Sequence, residues 1–83
     1  MLNNDKFILV QGDDWEGLYL NNEMFDEDHK ILREALVGYM NKYKTLDVEF
    51  HSLNDEGDAW LQERGNLPNY YNEIPENYFV YTF

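Results

Sequence analysis

Apolar and polar residues alternate along this chain in two different rhythms, and the changes of rhythm mark out the elements. Phe7-Ile8-Leu9-Val10 is a short unbroken apolar run of strand-forming residues. It predicts a strand over Lys6 to Gln11, placed centrally and covered on both faces. Gln11-Gly12-Asp13-Asp14 reads as a turn. From Trp15 to Asn21 the pattern alternates, with Trp15, Gly17 and Tyr19 on one face and Glu16, Leu18 and Leu20 on the other. Asn21-Asn22 follows as a tight hairpin turn, because asparagine tolerates positive φ. A short third strand is expected at Glu23 to Phe25.

The period then changes. Ile31, Leu32, Ala35, Leu36, Tyr39, Met40 and Tyr43 recur at intervals of three and four, which predicts an amphipathic helix over about 26–43. Asp26, Glu27 and Asp28 would occupy its first turn and Lys42 and Lys44 its last, each matching the helix dipole. Asp47 to Leu53 alternates as a strand. Asn54 is a helix N-cap before the acidic turn Asp55-Glu56-Gly57-Asp58. That helix should run over about 55–64, ended by Gly65 and Pro68. An irregular aromatic loop from Asn69 to Glu76 leads to a closing strand, Asn77 to Phe83.

The expected fold is α+β and a single domain over 1–83. A small, mainly antiparallel sheet of four or five strands packs one face on the long helix, with the short helix alongside. The expected core is Phe7, Leu9, Val10, Leu18, Leu20, Ile31, Leu32, Ala35, Leu36, Tyr39, Met40, Val48, Phe50, Trp60, Leu61, Phe79 and Tyr81.

Composition alters this picture in two ways. Seventeen Asp and Glu face six Lys and Arg across 83 residues, a formal charge of −11. Such acidity would suit a disordered chain, but 43% hydrophobic and 17% aromatic residues argue for a folded globule beneath an acidic surface. Cysteine is absent, which excludes disulfides, thiolate metal sites and thiol nucleophiles. The longest apolar run is far short of the ~20 residues of a membrane span, and the polar start of the chain does not read as a signal peptide. A cytoplasmic protein with no membrane partner is expected.

Candidate chemistry is sparse. Ser52 is the one serine, and its neighbour His51 should point to the opposite face of the strand, which disfavours a nucleophile–base couple. Asp26-Glu27-Asp28-His29 has ligand-type residues, but neighbours on a helix diverge by about 100° and do not converge on one ion. Asn54-Asp55-Glu56-Gly57-Asp58 lacks the calcium-loop spacing. No glycine-rich phosphate loop is present. Six cations without a cluster disfavour direct nucleic-acid binding. No catalytic residue, cofactor or metal is therefore assigned, and a non-enzymatic role is expected.

The acidity itself remains. Its plain interpretation is solubility and helix capping. However, a net charge of about 2–8 already serves a small domain. A globule of this length is ~25–30 Å across, and that length of duplex DNA carries roughly 15–18 charges, of the same order as the 17 acids. In size, charge and lack of catalytic chemistry the chain resembles small phage-encoded inhibitors of host defence, including DNA-mimic anti-restriction and anti-CRISPR proteins. The likeness is one of composition and carries no motif. It implies a basic, nucleic-acid-binding protein as partner. The residues expected to meet it are Asp13, Asp14 and Glu16; Glu23, Asp26, Glu27 and Asp28; Asp55, Glu56 and Asp58; and Tyr70 and Tyr71. Two alternatives stand beside this. One is an interaction adaptor anchored on Tyr70, Tyr71, Tyr78 and Trp60. The other is a structural or homo-oligomeric domain that pairs through its closing strand.

Overall fold

The computed structural model describes residues 5–80. It is a small α+β domain: a four-stranded mixed sheet packed against two helices. The strands are β1 (Phe7–Gln11), β2 (Glu16–Leu20), β3 (Glu23–Asp28) and β4 (Val48–Ser52); the helices are α1 (Arg33–Tyr43) and α2 (Asp55–Arg64). Strand order is β3-β2-β1-β4. The β1–β2 and β2–β3 pairs are antiparallel, whereas β1 and β4 run parallel. The central position expected for β1 is correct. Asn21 and Asn22 both take positive φ, 50° and 77°, and close the β1–β2–β3 meander as a tight turn.

Both sheet faces carry a core cluster, as the unbroken apolar run of β1 predicts. On the first face Phe7, Leu9 and Leu18 bury with Ile31 and with Leu36 of α1, and Leu20, Phe25, Tyr39, Met40 and Tyr43 pack around them. On the second face Val10 and Tyr19 bury with Leu53, Leu61 of α2 and Leu67, Ile74 and Phe79 from the C-terminal segment. The split follows the period-two alternation of β2, with Leu18 and Leu20 on one side and Trp15 and Tyr19 on the other. Tyr19 is fully buried, and its hydroxyl donates to the Pro68 carbonyl at 2.7 Å. Burial pushes its phenol well above the ordinary tyrosine range, assisted by Glu27 and Glu73.

Three expectations need correction. The long helix begins at Arg33, not at 26, because β3 continues to Asp28. Asp26, Glu27 and Asp28 pair with Leu18, Gly17 and Glu16 of β2, across a register shift between Leu18 and Tyr19. Pairing with a half-formed sheet outweighs the dipole preference of an acidic first turn, worth at most ~1 kcal/mol per charge at an exposed site. Ile31 is buried but precedes the helix, and Leu32 is its extended N-cap and 59% exposed. Phe50 is 56% exposed on edge strand β4 rather than in the core. Finally, the segment expected as a closing strand forms a single turn of 3₁₀ helix at Glu76–Tyr78 and then one bridge, Leu53 to Phe79. Tyr81, Thr82 and Phe83 lie outside the described residues.

Helix α2 matches its expected limits. The Asn54 side chain accepts the Gly57 N–H at 2.8 Å, and Gly65 ends the helix at φ 84°. The residues beyond it are bound at several points. Met24 N–H donates to the Asn69 carbonyl and Tyr71 N–H to the Asn22 carbonyl, which fastens the segment to the β2–β3 turn. Asn54 N–H donates to the Tyr78 carbonyl, which fastens it to the entry of α2.

Candidate functional site

The strand register decides which acids meet. One row across the sheet reads Asp28 (β3), Glu16 (β2), Gln11 (β1) and Ser52 (β4). The β1–β2 turn, with Asp13 and Asp14, projects beyond this row, and α2 begins three residues after Ser52 with Asp55, Glu56 and Asp58 in its first turn. Glu27 stands one position inside, opposite Gly17. Parts of three acidic stretches, separated by up to 45 positions in sequence, thus share one end of the sheet. They are Asp13, Asp14, Glu16, Glu27, Asp28, Asp55, Glu56 and Asp58.

Half of these carboxylates accept hydrogen bonds, three from backbone N–H groups and one from a side chain. Asp58 Oδ1 accepts the Asp13 N–H at 2.9 Å, which ties α2 to the β1–β2 turn. Glu16 Oε1 accepts the Ile31 N–H at 2.8 Å and so anchors the approach to α1. Glu27 Oε2 accepts the Trp15 indole N–H at 2.9 Å, and Asp28 Oδ1 the His29 N–H at 2.7 Å. The His29 ring stands edge-on to Trp15, 5.1 Å between centroids, with Nδ1 3.2 Å from the Asp14 carbonyl. These contacts join the turn, β3 and α2 into one acidic unit. Asp13, Asp14, Asp55 and Glu56 are exposed, and their side chains form no hydrogen bond or ion pair among the described residues.

The other expected residues are elsewhere. Glu23 begins β3 at the opposite end, in the row Glu23, Leu20, Phe7 and Val48, and bridges to Tyr70. Asp26 faces α1, where its carboxylate accepts the Tyr39 hydroxyl at 2.9 Å and raises that phenol's pKa. Tyr70 is 47% exposed, but Tyr71 is half-buried, with its ring 5.7 Å from Tyr19 and 5.8 Å from Phe79. Trp60 is half-buried against Tyr78, with the Arg64 guanidinium 5.3 Å from its ring. The tyrosine loop is therefore largely occupied in closing the second core.

Among the described residues no group of three or more His, Asp and Glu side chains is arranged to hold a metal ion, and no helix is long and apolar enough to cross a membrane. The strongest local ion pairing lies away from the acidic end. Glu49 on β4 contacts Lys6 and, at 2.9 Å, His51 Nε2. The hydrogen bond from Lys6, then that from His51, lowers the Glu49 pKa, and the bond to Glu49 raises that of Lys6.

The sequence reading missed one feature. Exposed Lys30 and Arg33 border an open groove between α1 and β4. Glu16 and Glu34 line the same groove, whereas Lys42 and Lys44 lie outside it. No protein-family profile, curated protein or solved structure matches this chain.

Proposed function

We propose that the chain is a non-enzymatic acidic binding protein whose acid-bearing sheet end docks in the basic nucleic-acid-binding groove of another protein. The observation that carries the reading is the row from Asp28 to Ser52, with the acidic turn and the acidic start of α2 beyond it. The shorter dimensions of the molecule are 24 and 23 Å. Over 24 Å one strand of duplex DNA carries about 7 phosphates, one per 3.4 Å, and both strands carry about 14. Eight carboxylates at this end correspond to one strand rather than two. The remaining nine acids add to a long-range field that steers a basic partner. Inhibition of that partner, as in the phage-encoded inhibitors of host defence, is the form of the reading that the composition favours.

The test is retention of proteins from a lysate of the source cells on the immobilised chain, followed by a salt gradient. The reading expects a basic nucleic-acid-binding protein that elutes at intermediate salt and is displaced by duplex DNA. A partner that resists salt and ignores DNA would sink it, and would favour an aromatic adaptor centred on Tyr70.

A further inference from the structure

A notch opens at the acid-bearing end of the sheet, between the β1–β2 turn and α2. Its volume is about 180 Å³. That is space for about six water-sized groups at ~30 Å³ each, enough for one long side chain and too small for a helix. Buried Leu61 and half-buried Trp15 supply its apolar wall, and Asp13, Asp14 and Asp58 line the same space. Contacts already in place hold this shape. The Asp13 N–H donates to Asp58 Oδ1 across the notch, and the Trp15 indole N–H is held by Glu27. At Gly12 an added Cβ would stand 2.9 Å from Leu61 Cδ2, so the turn rests directly on α2. A preformed site of this kind loses little freedom when it is filled.

The charge of the notch has one sign. Three carboxylates line it, and no lysine or arginine does. Arg64 precedes the lining residue Gly65, but its guanidinium stands 5.3 Å from the Trp60 ring and its Nε donates to the Asn66 carbonyl at 3.2 Å. Lys30 follows His29, which borders the notch, but lines the groove beside α1 instead. Asp13 and Asp14 are free of hydrogen bonds and ion pairs at their side chains among the described residues, and the molecule around them carries −11. These carboxylates are not arranged to hold a metal ion. A broader cation with an apolar stem answers both the spread of the acids and the apolar wall.

We infer that this notch receives one arginine side chain of the basic partner. The stem would lie against Leu61 and the Trp15 indole, and the guanidinium would meet Asp13, Asp14 and the second oxygen of Asp58. Arginine fits better than lysine. Its guanidinium is planar, delocalised and more weakly hydrated, it carries five donors for acceptors spread around a rim, and it is favoured beside an indole ring. Its methylene stem covers apolar surface while the charged head stays among the acids. The inference rests on the function proposed above for its partner, and it names the point on the sheet end where the docking energy would concentrate.

The probe is arginine blocked at both ends, N-acetylarginine methylamide, with its lysine and neutral citrulline twins at matched low ionic strength. Nitrogen–proton NMR spectra of the full chain should show saturable shifts with a Kd of about 1–10 mM for the arginine probe. They should concentrate at the Trp15 indole N–H and at residues 13–15 and 58–62. The lysine twin should bind about threefold more weakly and the citrulline twin at least about tenfold more weakly. Asp13→Asn/Asp14→Asn should weaken arginine binding at least about fivefold, whereas Asp55→Asn/Glu56→Gln, which removes the same charge outside the notch, should change it by no more than about twofold. Shifts spread over acids throughout the molecule would overturn the inference. So would equal binding of arginine and either twin, or equal losses in the two double variants. The two readings fail separately. A basic protein that is retained in the salt gradient and weakened alike by both double variants overturns the notch and leaves the sheet-end reading standing. Arginine binding at the notch with no basic protein retained supports the notch and overturns that reading.

Discussion

Replacing Gly57 with alanine sets two effects of opposite sign against each other. Within a helix, alanine is favoured over glycine by about 0.8–1.0 kcal/mol. Gly57, however, is where the C-terminal segment rests on α2. An added Cβ would stand 2.5 Å from the Tyr78 carbonyl oxygen, 3.0 Å from the Tyr78 Cβ and 3.1 Å from the Leu53 Cβ. The Tyr78 carbonyl accepts the Asn54 N–H at 2.8 Å, so moving it also strains the entry to α2. Overpacking costs about 1–3 kcal/mol and the hydrogen bond about 0.5–1.5 kcal/mol. After the propensity gain, Gly57→Ala should destabilise by roughly 1–3 kcal/mol. At about 4–8 °C per kcal/mol for a domain of this size, melting should fall by roughly 5–20 °C. Gly38 is the internal control: a Cβ there meets nothing within 4 Å. Gly38→Ala should therefore gain about 0.5–1 kcal/mol and melt a few degrees higher. Circular dichroism melts of both variants measure the difference. A Gly57→Ala protein as stable as Gly38→Ala would refute the docking of the C-terminal segment on α2.

Two further predictions concern buried and paired groups. Tyr19→Phe leaves the buried Pro68 carbonyl without its donor, at a cost of about 1–3 kcal/mol by urea denaturation at neutral pH. The Tyr19 pKa is raised in the folded state, so its contribution is present below about pH 10 and is lost as pH rises further. Stability of the unaltered chain should therefore fall more steeply above that pH than that of the variant; equal slopes would contradict the burial argument. The folded-state pKa of Glu49 is instead lowered, first by Lys6 and then by His51. Its contribution is present above the ordinary carboxylate pKa of about 4.3 and is lost as pH falls through the depressed value. Glu49→Gln should lower melting slightly at neutral pH, leave it unchanged at the acid end, and so flatten the acid limb of the stability curve; an unaltered acid limb would count against the pairing.

What was legible in the sequence was local. The Asn21-Asn22 turn, the alternation of β2 and the capped helix α2 depend on near neighbours, and each stands at its expected place. Asp26-Glu27-Asp28 was ambiguous because an acidic first turn and a polar edge strand look alike until a partner strand is known. Phe50 was misplaced for a related reason. Alternation assigns a side chain to a sheet face but does not say which half of that face a single helix will cover. Tyr19 was left out of the core because the C-terminal segment that covers its face of the sheet has no periodic pattern. The acidic stretches were visible, but their meeting at one sheet end depends on β4 pairing parallel to β1, a long-range choice that no local pattern encodes. Glu23 and Tyr70 separate from them through the same register.

The most direct test of the central claim compares two sets of neutralised acids against the partner retained in the salt gradient. One variant carries Asp13→Asn, Asp14→Asn, Asp55→Asn and Glu56→Gln, the exposed acids of the sheet end, leaving Asp58 to hold the turn. The control carries Glu23→Gln and Asp47→Asn, exposed acids at the opposite end. Affinity and its salt dependence are measured by isothermal titration calorimetry, with melting temperatures checked for both. The account predicts that the first variant loses at least about tenfold in affinity and shows a shallower salt slope, while the control stays close to the original. Equal losses in the two, or no loss in either, would mean that the acids serve solubility and that the sheet end is not the docking surface.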